Sequence, residues 1–191
     1  MALYTCDPNT EVTGKYLLAH TTHMNHDIVR PFLVEHGLGA IDSMEWYALS
    51  MWMDVLNDLM YHGHRWSDWV SLGMRMADAG LLIPQTDNTT FEDAIRNLNY
   101  TYQLNHRGDN IGRYDATLTE ENHLVVNATV AYPSDEVYGI VYGLARRYLP
   151  NGSQYSVEYD DYAPLKEYGG DGTIIHVGWA FTSEYEMDII T

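Results

Sequence analysis

The hydrophobic period of this chain changes part-way along, and that change limits the folds open to it. Up to the glycines of Arg107–Gly112, apolar side chains recur every three to four residues, the spacing of one helix face. Beyond them the apolar residues alternate, the spacing of a half-buried strand. Over residues 44–61, Leu49, Trp52, Met53, Leu56 and Met60 form an amphipathic stripe, and His62-Gly63 closes that helix. Residues 14–29 read as an earlier helix, stopped because Pro31 disfavours helical geometry at Arg30. Another runs from an Ser67 N-cap to Ala79, with Gly80 as terminator. Leu82–Asn88, with Pro84 and its turn formers, is a connector. Thr90 then caps a helix on which Phe91, Ile95, Leu98 and Tyr102 share a face, with His106 one turn further on.

The alternating part begins with a hairpin, Tyr114–Leu118 and Leu124–Ala131, turned at residues 119–122. Ser134 caps a helix to Tyr148 with Val137, Val141, Leu144 and Tyr148 inward, and strands at 155–159 and 173–180 follow. The expected fold is α+β: a helical N-terminal half packed on a largely antiparallel sheet built from αββαββ in the C-terminal half. We read residues 1–191 as one domain, mainly helical over 1–82 and αββαββ over 90–180.

Charge narrows the function classes. Twenty-seven acidic residues against ten basic ones give a net charge of −17, and Lys15 and Lys166 are the only lysines. Such a surface repels phosphate backbones and anionic membranes, so no nucleic-acid or membrane partner is expected. The acidity serves solubility or suits a saline cytoplasm; the sequence leaves both open. Cys6, the single cysteine, forbids an internal disulfide and a thiolate zinc site. Without a signal peptide or a long apolar run, the expected location is cytoplasmic.

No GxSxG, P-loop, HExxH or GxGxxG pattern occurs. His20, His23 and His26 are the candidates if a metal binds, although no carboxylate completes a site beside them, and structural or surface histidines are the competing reading. With three Phe against sixteen Tyr and five Trp, the chain favours aromatic side chains that carry donors, which suit either a core or a ligand pocket. The candidate ligand site lies between the 90–107 helix and the sheet. Tyr102, His106 and His176 are its centre, Tyr114 and Trp52 its walls, and Arg107 and Arg113 would attract an anionic group. A satisfied core histidine with two surface arginines is the alternative.

The segments YQLNHRGDNIGRY, ATVAYPSDEVYGIVYGLARRYLP and YSVEYDDYAPLKEYGGDGTIIHVGW resemble the 4-vinyl-reductase and heme-NO-binding-associated group of sensory domains, over roughly residues 90–180. The resemblance implies a helical layer against an antiparallel sheet, acting as an input module for small molecules or as a partner-binding module. Related aromatic-compound sensors hold zinc through Glu and Cys in the late loop; here Leu165 and Thr173 stand near the cysteine positions, so no zinc site carries over. The Tyr-x-Ser-x-Arg signature of heme-NO sensors is also absent, and the cofactor stays unassigned. The expected function is a non-catalytic, small-molecule-binding sensory domain with an aromatic- and His-lined pocket. It would act as a homodimer and signal to a downstream protein. The alternatives are a small enzyme using His106 or His176 as general acid–base, and an interaction module without a ligand.

Overall fold

The computed structural model describes residues 3–61, 69–80 and 90–181. Its elements in chain order are β1 (Glu11–Thr13), α1 (Gly14–Thr22), α2 (His26–Glu35), β2 (Trp46–Ala48), α3 (Leu49–Tyr61), α4 (Trp69–Asp78), α5 (Phe91–Asn105), β3 (His106–Arg107), β4 (Tyr114–Glu120), β5 (His123–Ala128), α6 (Ser134–Tyr148), β6 (Ser153–Tyr159) and β7 (Thr173–Phe181). The expected α+β class holds. An antiparallel sheet of order β4-β5-β7-β6 packs against the helices, and its αββαββ strands follow the sequence reading closely. Among the described residues no helix is long and apolar enough to cross a membrane.

Three local expectations are corrected. The 14–29 helix is two helices: His23 ends α1, and the Asn25 side chain caps α2 by accepting from the Asp27 N–H. Pro31 lies inside α2 and does not stop it, because it sits on the exposed face, where the carbonyl it leaves unpaired can face water. Residues 46–48 are a strand that precedes α3. They pair with β1, which also pairs β3, in a small sheet of order β2-β1-β3 whose two- and three-residue strands carry too little periodicity to be read. The expectations for Ser67, for the His62-Gly63 helix end and for the connector at Leu82–Asn88 lie outside the described residues.

Caps and close approaches fix the frame. Thr90 and Asp93 form a reciprocal capping box at the start of α5, as the sequence suggested for Thr90. Ser134 does not cap α6. Its N–H and hydroxyl instead donate to the Glu167 carboxylate at 2.7 and 2.6 Å, so a residue from the late loop secures the helix start. Helices α4 and α6 cross so closely that a Cβ at Gly73 would stand 2.2 Å from the Glu136 carbonyl, and one at Gly139 2.1 Å from that of Val70. This crossing drives the first turn of α6, Glu136 included, into the interior.

Candidate ligand site

Where α1, α3, α5 and the first turn of α6 meet, the core turns aromatic and polar. Tyr16 and His20, one turn apart on α1, face inward. Trp52 comes from α3, Tyr102 from α5, His106 from β3, Tyr114 from β4, Tyr132 from the approach to α6, and Glu136 from α6 itself. All are buried. The Tyr102 ring stacks on His106 at 3.9 Å, Tyr16 meets His106 edge-on at 4.7 Å, and His20 stacks on Tyr132 at 5.1 Å.

The hydrogen bonds fix the protons. His106 donates through Nδ1 to the Tyr102 carbonyl at 2.8 Å and accepts at Nε2 from the Tyr132 hydroxyl at 2.7 Å, so it is a neutral imidazole. Burial agrees, pushing its pKa down to about 3. His20 Nδ1 donates to the Tyr16 carbonyl at 2.9 Å, and its Nε2 lies 2.8 Å from Glu136 Oε1. That contact is a buried hydrogen bond between imidazole and carboxyl group. The Tyr102 hydroxyl donates to the Ile111 carbonyl, and Lys166 Nζ ties the strand end by donating to the carbonyls of Val130 and Tyr132.

Four polar atoms in this region are buried and bond to nothing in the protein: Tyr16 Oη, Tyr114 Oη, Trp52 Nε1 and Glu136 Oε2. They belong to one neighbourhood. Burial, followed by the charges of Tyr114 and Glu136, holds the Tyr16 pKa far above its ordinary value, and burial followed by Glu136 does the same for Tyr114. Trp52 reaches it through His20, 5.5 Å ring to ring. Leaving such a group unpaired costs about 1–3 kcal/mol each, so three donors and one acceptor left unbonded here call for a partner.

Of the site residues read from sequence, Tyr102, His106, Tyr114 and Trp52 come together here. His176 does not: it lies on the opposite, solvent face of the sheet, because Ile175 and Val177 take the inward positions of β7. Arg107 is exposed, lies over the Trp46 ring at 4.2 Å and pairs with Glu11; Arg113 is exposed and pairs with Asp115. Tyr16, Tyr132 and Glu136 were missed. Their signal was faint: Tyr16 precedes His20 by one helical turn, and Glu136 precedes Ile140 by one turn, with Gly139 and Gly143 of the close crossing following it on α6. His20, His23 and His26 do not converge, since His20 points into the core, His23 ends α1 and His26 is exposed. Among the described residues no three metal-ligating side chains gather.

No family model matches the chain, and no curated protein sequence matches it. Its fold is that of the H-NOX domains. An H-NOX protein from S. oneidensis in the Fe(II) state superposes with a TM-score of 0.63 at 10% identity, covering 90% of this chain and 98% of that one. The same organism's protein in the Fe(II)NO state gives 0.63 at 11% identity over 88% and 99%. A point variant of the T. tengcongensis H-NOX domain gives 0.59 at 11% identity over 89% and 95%. The heme of the H-NOX family does not fit the residues present here. Among the described residues both buried histidines engage both ring nitrogens within the protein, so neither offers iron a free lone pair.

Proposed function

We propose that this chain is a non-catalytic, small-molecule-binding regulatory domain that uses the H-NOX fold without heme. The observation that carries the reading is the neighbourhood of Tyr16 Oη, Tyr114 Oη, Trp52 Nε1 and Glu136 Oε2, buried and without protein partners. The ligand is small and polar: it accepts from the two phenols and the indole N–H and donates to the carboxylate. Binding acts on the hydrogen bond between His20 and Glu136. Because Glu136 lies in the first turn of α6, whose start is held by Glu167, the change reaches the late loop. The resemblance of residues 90–180 to the 4-vinyl-reductase group supports an input role. In this reading residues 1–191 are one domain, cytoplasmic and homodimeric, that passes the ligand state to a protein partner. An enzyme using His106 as general acid–base is disfavoured, since burial keeps that imidazole neutral and both its nitrogens are engaged.

The test is native mass spectrometry of freshly purified protein, wild type and Tyr16→Phe/Tyr114→Phe. The wild type should carry a small adduct that the double variant loses while keeping its fold. If neither protein carries a ligand and the variant is simply more stable, the hydroxyls are idle and the reading fails.

A further inference from the structure

On the solvent face of the four-stranded sheet, away from the site above, two histidines meet nitrogen to nitrogen. His123 opens β5 and His176 lies in β7. The register sets Gly178 opposite His123 and Val125 opposite His176, so the histidines are diagonal neighbours on one face. Their rings are inclined by 17° with centroids 5.2 Å apart, and His123 Nε2 lies 3.2 Å from His176 Nδ1.

The outer nitrogens decide what these inner ones carry. His176 Nε2 is 2.9 Å from Asp160 Oδ2. The other carboxylate oxygen accepts from the N–H groups of Tyr162 and Ala163 at 2.9 and 2.8 Å. With one carboxylate oxygen already accepting from two backbone N–H groups, the other accepts from His176 as well. His176 therefore carries its proton on Nε2 and a lone pair on Nδ1. His123 Nδ1 is 2.6 Å from Thr119 Oγ1, and that hydroxyl is 3.2 Å from the His123 carbonyl, which can only accept. In the tautomer in which that hydroxyl donates to the carbonyl, Oγ1 accepts from Nδ1–H and the His123 lone pair lies on Nε2. Two lone pairs then face each other, an arrangement that repels unless a cation sits between them.

We propose that His123 Nε2 and His176 Nδ1 form a surface site for a divalent transition ion of the zinc or copper type, with water in the remaining positions. Two imidazole nitrogens about 2.0–2.1 Å from one tetrahedral ion stand roughly 3.3 Å apart, close to the separation observed, so a modest turn of each ring seats the metal. Asp160 and Thr119 are positioning residues, each holding a ring through its second nitrogen, as acceptors behind metal-bound histidines do. Gly178 puts no side chain beside His123: a Cβ there would stand 3.9 Å from its ring. Glu158, directly across the β6–β7 pairing from His176, adds negative charge on the same face.

The competing occupant is a proton, which would make the pair an ordinary hydrogen bond. Tag-free, chelator-stripped protein carrying His62→Gln and His64→Gln is titrated with Zn²⁺ by calorimetry and with Cu²⁺ by electron paramagnetic resonance. One site with two-nitrogen coupling to copper is expected. His123→Gln and His176→Gln should each weaken it by tenfold or more, and Asp160→Asn by about 10–100-fold. His36→Gln, whose ring pairs with Asp58 elsewhere, should leave it unchanged, and circular dichroism should show every variant folded. Absence of zinc binding, or equal affinity in the His123 and His176 variants, would overturn the proposal.

Discussion

His20 and Glu136 form a hydrogen-bonded pair with essentially no solvent exposure, so neither can be removed without stranding the other. His20→Ala should cost about 3–5 kcal/mol in a denaturant titration, as breaking a buried pair does. A loss below 1 kcal/mol would mean that Glu136 finds another partner. His106 makes a different claim, on pH. Burial holds its folded pKa at about 3, below the 6.5 or so of an unfolded histidine. Between those values the unfolded chain takes up a proton that the folded chain refuses. This contribution is therefore complete above about pH 6.5 and is lost as pH falls toward 3, by at most about tenfold in the folding equilibrium per pH unit. Guanidinium titrations at pH 7.5 and 5 should show the loss, and His106→Gln should flatten it.

At the scale of elements, the α4–α6 crossing is a close helix–helix contact that its glycines permit. Gly139→Ala would drive a Cβ against the Val70 carbonyl, and Gly73→Ala would do the same against Glu136. Each should cost about 1–3 kcal/mol by overpacking and lower the melting temperature. Since Glu136 leaves the core if α6 moves out, each should also weaken any ligand retained in wild type. Stability falling with retention intact would separate the crossing from the site. In β7, Ile175 and Val177 face the core as the two-residue period required, while Trp179 is half-buried and meets Phe91 edge-on at 6.2 Å. Trp179→Ala should therefore cost less than the roughly 3–5 kcal/mol of a fully buried aromatic.

For the whole molecule the governing quantity is the net charge of −17. Exposed ion pairs such as Arg107–Glu11 and Arg146–Asp78 use up several of the few cations, and most acids are left to repel one another. Raising salt from 0.1 to 1 M shortens the screening length from about 10 to 3 Å. The melting temperature should climb across that series. A flat or falling series would show that self-repulsion does not limit stability.

Period and punctuation were enough, from sequence alone, for the α+β class, for the capped helix α5 and for the strands of the C-terminal sheet, because each is a local pattern of burial. They also marked Tyr102, His106, Tyr114 and Trp52 as polar or aromatic groups bound for the interior. Tertiary structure alone decided the rest. The three-stranded sheet depends on pairing between segments some 35 and 95 residues apart. The joining of Tyr16 and His20 to Glu136 requires α1 and α6 to meet over 116 residues of chain. The removal of His176 from the inner group to a surface pair with His123 follows from strand register. Spacing along a chain records which face a side chain takes, and only the packing of those faces determines what it meets.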